Sequence, residues 1–211
     1  MLEYTDYVKY FVALLAIINP LGAIPIFITL TPGEDMKPRK KIAKTSSLSA
    51  TLILLVTLFA GEWMLVFFGI SVNSFRVGGG ILILLMAVSM LQAQLSPTVQ
   101  TKEEAEESDR RQDIAIVPFS TPLLAGPGAM STVILEAHKG SGLGHYAISS
   151  LAIILIGTCI WGALHLAPLI SKRLGKTGIN VFTRIMGLIL AAIAVEFIAN
   201  GLKGLFPALA G

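Results

Sequence analysis

Asn19-Pro20-Leu21-Gly22-Ala23-Ile24-Pro25 sits in the middle of an apolar run from Tyr10 to Leu30. Its echo is Thr121-Pro122-Leu123-Leu124-Ala125-Gly126-Pro127-Gly128, inside a second apolar run from Ile114 to Leu135. Both read polar-Pro-Leu-x-Ala-x-Pro. An interior proline removes a backbone donor and clashes with the carbonyl four residues back, so two prolines plus a glycine predict a broken helix. In a bilayer an unpaired backbone group is costly, and a break is tolerated only where protein or a water-filled cavity satisfies it. Matching breaks in the two halves of one chain point to a transporter's solute site.

The surrounding composition sets the environment. Of 211 residues, 54% are hydrophobic and 14% charged, with a mean hydropathy of +0.76. A soluble domain carries about 25% charge, so this is an integral membrane protein. The single cysteine, Cys159, excludes an intramolecular disulfide and a thiolate metal cluster, and it reads as a small apolar residue, buried or facing lipid. The first residues lack the basic region of a cleaved signal peptide and the apolar run after them is too long for one, so a retained span is expected there.

A crossing needs about 20 mostly apolar residues. Segments 8–30, 45–68, 75–94, 114–136, 146–170 and 179–205 qualify. Gly78-Gly79-Gly80, near the start of the third, should let a neighbouring helix come close. Lys and Arg on alternate sides of these spans number twelve and four, which puts the richer side in the cytoplasm and both termini on the extracytoplasmic side. The charged stretch 96–113 reads as a solvated cytoplasmic linker with no chemistry of its own.

The break motifs superpose at an offset of 102 residues, Pro20 on Pro122 and Pro25 on Pro127. Ser46-Ser47-Leu48 matches Ser149-Ser150-Leu151 at 103, and Arg76-Val77-x-Gly79 matches Arg184-Ile185-x-Gly187 at 108. Three spans per half is an odd number, so the second copy enters from the opposite side. The expected fold is therefore all-α, an integral membrane protein of six transmembrane helices in two inverted three-helix repeats. The chain forms a single membrane domain, 1–211, with repeats 1–95 and 114–211 and the first and fourth helices broken.

At each break a half-helix begins with unpaired N–H groups and a positive dipole end, which suit a carboxylate. The carbonyls freed upstream suit an ammonium. Gly22, Ala23, Ala125, Gly126, Gly128 and Ala129 keep the surroundings small, and Asn19, Thr121 and Ser131 add neutral hydrogen bonds. With Pro20, Pro25, Pro122 and Pro127 they form the expected substrate-binding set. The competing view is a pair of kinks that serve helix packing, since Gly and Pro are common in spanning helices.

Glu196 lies twelve residues past Arg184, about 18 Å along a helix. Buried carboxylates in spans tend to face the interior and relay protons, which makes Glu196 the candidate for proton coupling. The alternative is a frayed helix end at the headgroups. Glu62, beside Trp63, reads as a boundary residue, and Arg76 and Arg184 as helix-end anchors. A structural hydrogen bond is expected for His165, and a flexible turn between His138 and His145. No His-Glu-x-x-His, Ser-centred elbow or metal spacing occurs, so neither an enzyme nor a metal or cofactor is expected, and nothing points to nucleic acid.

The run Asn-Pro-Leu-Gly-Ala-Ile-Pro-Ile-Phe from Asn19 and the run Pro-Leu-Leu-Ala-Gly-Pro-Gly-Ala-Met-Ser-Thr-Val-Ile from Pro122 resemble the MarC family. Length, six spans and the charged central linker match over essentially the whole chain. The family is similar to the LysE superfamily of amino-acid exporters, and the resemblance implies proton-coupled symport of small neutral amino acids such as glycine and alanine. The alternatives are efflux of drugs or other amphiphiles, which an all-small pocket disfavours, and a membrane scaffold or regulatory protein without flux. Expected partners are a small neutral amino acid, protons and the lipid bilayer, and a homo-oligomer is compatible with the sequence. The expected location is the cell membrane.

Overall fold

A computed structural model describes residues 3–24, 27–28, 31, 36–92 and 124–210. Among the described residues α-helices run as α1 (Tyr4–Ile18), α2 (Met36–Phe67), α3 (Val72–Leu91), α4 (Pro127–Lys139), α5 (Leu143–His165) and α6 (Ala167–Leu205), and a short 3-10 turn, Pro207–Ala210, follows. No strand occurs among the described residues. Orienting the bundle with the N terminus of α1 at the top puts the C-terminal ends of α2, α4 and α6 at the top as well.

Among the described residues four stretches are long and apolar enough to cross a membrane: Arg39–Phe67, Val72–Leu91, Leu143–His165 and Thr177–Leu205. They correspond to the second, third, fifth and sixth predicted spans. Helices α1 and α4, with 15 and 13 residues, are about 22 and 20 Å long at 1.5 Å per residue, shorter than a core of about 30 Å. They belong to the first and fourth predicted spans, α1 stopping before Asn19-Pro20 and α4 starting at Pro127; residues 25–26, 29–30 and 114–123 of those two segments lie outside the described residues. The linker 96–113 lies outside the described residues.

Local chemistry explains the ends. Glu3 and Asp6 form a capping box at the start of α1. At the top, α2 closes on Gly69 at φ 65°, with Ile70 N–H donating to the Leu65 carbonyl and Gly69 N–H to that of Val66. That six-to-one and five-to-two pairing with a left-handed glycine terminates a helix and satisfies its last carbonyls. Two residues later the Ser71 hydroxyl accepts from Ser74 N–H at 3.0 Å and starts α3. Gly175, at φ 63° and ψ 177°, splits α6 into a short lower piece and the spanning Thr177–Leu205. The basic residues Arg39, Lys40, Lys41 and Lys44, read from sequence as a loop, belong to the first turns of α2. Lys and Arg are good helix formers and can carry their charge back to the membrane surface.

The bundle buries Leu14, Ile24, Leu54, Ile83, Ile153 and Ile156 completely, yet turns large apolar side chains outward all round. Leu52, Val56 and Phe59 of α2, Leu85 of α3, Leu155 of α5 and Leu188 of α6 are all exposed. A soluble monomer does not carry apolar surface on this scale; a bilayer solvates it. Inside the spans, hydroxyls turn back on their own helices, as Thr51 does to the Ser47 carbonyl at 2.7 Å and Thr57 to that of Ile53 at 2.8 Å.

Lipid supplies no hydrophobic drive between helices, so small residues that permit close approach govern their packing. A Cβ on Gly80 would stand 3.0 Å from the Ala194 carbonyl oxygen of α6, and one on Gly187 would stand 3.1 Å from the Ala87 oxygen of α3. Gly79 faces Ser131 of α4 instead, and Gly78 meets nothing. Gly157 of α5 is filled by Thr51 of α2, and Gly61 of α2 by Ile134 of α4. The resulting contacts are most extensive between α3 and α6, then between α2 and α5, while α4 lies against α2 and α3 as well as α1, and α1 against α5 as well as α4.

Candidate functional site

The first break begins at Asn19, which adopts φ 45° and ψ 68°, the only left-handed non-glycine among the described residues. Asn tolerates this conformation because its short polar side chain bonds locally. Here Asn19 Oδ1 accepts from Gly22 N–H at 3.2 Å, and the Asn19 carbonyl accepts from Ala23 N–H at 3.2 Å. A Cβ at Gly22 would collide with the Asn19 amide, so glycine is required there. Pro20 has no N–H to give the Ala16 carbonyl, and the Gly22 N–H turns to the Asn19 side chain instead of the Ile18 carbonyl. The lower end of α1 therefore presents freed carbonyl oxygens. With its Oδ1 engaged, the Asn19 side chain can offer a solute only N–H donors.

Below the break Ile24, Phe27 and Ile28 are helical, with Phe27 N–H donating to the Ala23 carbonyl at 2.9 Å, and Ile24 and Phe27 are buried, as is Thr31. Arg39 of α2 clamps that point, its Nη2 donating to the Thr31 carbonyl at 2.7 Å and its Nε to the Thr31 hydroxyl at 3.3 Å.

The second break ends where α4 begins. Gly126 is the N-cap and Pro127 the first helical residue, where a missing N–H costs nothing. Among the described residues no side chain caps this end, and the N–H groups of Gly128 and Ala129 belong to the first turn, which has no intrahelical acceptor for them. The two breaks meet: a Cβ on Gly128 would lie 3.4 Å from Ile17 Cγ2 of α1, and 3.0 Å from Ile83 Cγ1 of α3. Carbonyls at the negative end of one helix thus lie beside N–H groups at the positive end of another.

Of the residues chosen from sequence, Asn19, Pro20, Ala23, Ala125, Gly126, Gly128 and Ser131 are buried around this junction, with Gly22 half-buried. Pro127 is exposed, and the Ser131 side chain is set against Gly79 of α3. Pro25, Thr121 and Pro122 lie outside the described residues. Glu196 is exposed on α6. Ile198 and Ala194, each two residues from Glu196 and so on the far side of the helix, are the residues that pack on Gly80. Glu196 therefore points away from α3 and from the junction, not into the interior as expected.

Sequence reasoning missed Glu136. It is 1% exposed near the top of α4, and its Oε2 accepts from Lys139 Nζ at 2.9 Å. Among the described residues its Oε1 has no hydrogen-bond partner, and neither does the buried Tyr10 hydroxyl of α1. Glu136 is near enough for its charge to act on Tyr10. His145 of α5 is buried too, its Nε2 donating to the Glu136 carbonyl at 3.0 Å. In the neutral ring that leaves Nδ1 to accept from the Tyr7 hydroxyl, also at 3.0 Å.

A Cβ at Gly140 would stand 2.8 Å from the His145 ring, while residues 141–144 of the following turn are exposed. His138 bonds Glu62 of α2 at 2.9 Å, both about half exposed, in keeping with a boundary position. At the bottom His165 lies tilted against Trp161 with ring centroids 5.1 Å apart, and its buried Nδ1 has no partner among the described residues. No group of metal-ligating side chains occurs among the described residues.

Comparison with known proteins covers the same extent. Residues 4–206 match the MarC family integral membrane protein. The chain is 42% identical over 207 residues to UPF0056 membrane protein YhcE of Escherichia coli, covering 98% of this chain and 96% of that one. It is 40% identical over 203 residues to UPF0056 membrane protein YvbG of Bacillus subtilis, covering 96% of each. With UPF0056 membrane protein MJ1677 of Methanocaldococcus jannaschii it shares 40% identity over 198 residues, 94% of this chain and 96% of that one. No solved structure matches. With the broken-helix pair in place and similarity running nearly end to end, the chain belongs to the MarC family of integral membrane proteins.

Proposed function

We propose that this chain is a secondary transporter of small neutral amino acids of the glycine and alanine kind, coupled to protons, working by alternating access around the paired breaks. The observation that carries the reading is the contact of Ile17 with Gly128, which brings the C-terminal end of α1 against the N-terminal end of α4. The N–H groups of Gly128 and Ala129 suit a carboxylate, and the freed carbonyls of α1 suit an ammonium. Neither break carries a charged side chain, so a solute with no net charge is the better match. Gly22, Ala23, Ala125 and Gly128 keep the side chains at the junction small, in keeping with a small solute.

The packing of each helix on its counterpart supports an inverted repeat, because an axis in the membrane plane relates the first element to the fourth, the second to the fifth and the third to the sixth. The cationic first turns of α2 lie at the bottom, which supports a cytoplasmic bottom and extracytoplasmic termini. Purified protein in sealed vesicles tests the whole reading. Labelled glycine or alanine should accumulate when a pH gradient is imposed, and absence of flux for either amino acid would overturn it.

A further inference from the structure

The cluster around Glu136 stands above the junction. Glu136 is eight residues beyond Gly128, about 12 Å along α4. Tyr10 is ten residues before Pro20, about 15 Å along α1. Any path from the top to the junction that runs between α1 and α4 passes these side chains. Three elements are tied together there: Tyr7 of α1 to His145 of α5, and His145 to the Glu136 carbonyl of α4.

A carboxylate this deep is expected to have all its acceptor positions occupied, and this one does not. Oε2 has Lys139, whose side chain is 46% exposed and free to move to water, while Oε1 and the Tyr10 hydroxyl stay unsatisfied among the described residues. Such an arrangement is held in one state by a single ion pair with a mobile partner. The other charged or titratable groups turned towards it are few. His138 on α4 is engaged with Glu62 of α2, and α3, whose Gly79 packs on Ser131, brings Arg76 as its nearest charge towards this end.

We propose that Glu136 is the proton-binding group that controls opening of the upper end of the bundle, closed when paired with Lys139 and open when protonated. This rests on the alternating-access reading above and adds to it the location of its proton site. On protonation the proton from the aqueous side resides on the Glu136 carboxyl, the Lys139 ammonium is released to water, and α1 loses the charged surface against which it is seated. The structure favours this carboxylate over Glu196, since Glu136 is enclosed by α1, α4 and α5 and Glu196 by none of them.

The test does not need flux. In a Cys159→Ser background, Leu14→Cys places a thiol one turn below Tyr10 at a position that is fully buried. Its alkylation by a small water-soluble maleimide should quicken several-fold as pH falls, and Glu136→Gln should abolish that dependence. Should Glu136→Gln not fold, Lys139→Gln serves in its place and should give fast labelling across the pH range. An unchanged pH dependence in Glu136→Gln, its loss in His138→Gln or His145→Gln alone, or no labelling at any pH would overturn the proposal. Labelling that behaves as expected in a protein that moves no glycine or alanine would leave the gate standing and sink the choice of solute.

Discussion

Single side chains set both breaks and the cluster above them. Asn19 and Gly22 act as one unit, since the amide occupies the space a Cβ would need. Gly22→Ala should displace that amide, leave the half-buried residue-22 N–H without its acceptor and cost about 1–3 kcal/mol. A lowered melting temperature in detergent checks it, and an unchanged one would show the amide to be dispensable. Two carboxylates can be compared directly by gradient-driven uptake. Glu196→Gln removes an exposed group that faces away from α3, so the response to an imposed pH gradient should persist, whereas Glu136→Gln should remove it. The break residues were legible because proline, glycine and asparagine act through their own backbone. Glu136 was not, because its surroundings come from three helices joined only in the fold. The signal that could have found it was a carboxylate at the edge of an apolar run with Lys139 three positions on and a tyrosine in the partner half.

At the scale of elements, hydropathy located the four full-length helices to within a few residues at most ends, as in 75–94 against Val72–Leu91. Where it erred, at the start of α2, basic side chains had been taken for loop although their propensity is helical. The two short helices depend on where the prolines fall. Pro127 is the first residue of α4 and exposed, so Pro127→Ala removes no packing and should leave the stability within about 1 kcal/mol of wild type. The new N–H and the lost constraint would let the helix extend backwards through Gly126, changing the donors offered at the junction. Uptake of labelled alanine should then fall at least tenfold while expression and monodispersity hold. Parallel loss of folding and flux would assign Pro127 to stability alone.

Across the molecule, the counterpart pairs do not divide the first half from the second; they interleave them. The glycine contacts between α3 and α6 and the contact between Ile17 and Gly128 can be distinguished by cross-linking. A Cβ at Gly187 would lie 3.2 Å from that of Met90, close to disulfide range. Oxidising the pair Met90→Cys with Gly187→Cys, in a Cys159→Ser background, should leave uptake near its reduced value. Oxidising Ile17→Cys with Gly128→Cys should stop uptake, and a reductant should restore it. The opposite pattern would move the working joint to α3 and α6. A dovetailed body of this kind has no central seam along which two lobes could swing apart. If the alternating-access reading proposed above holds, the elements left to travel are α1 and α4 within a frame of the four long helices, so the stroke would be short and its cost confined to one ion pair and a few side-chain hydrogen bonds.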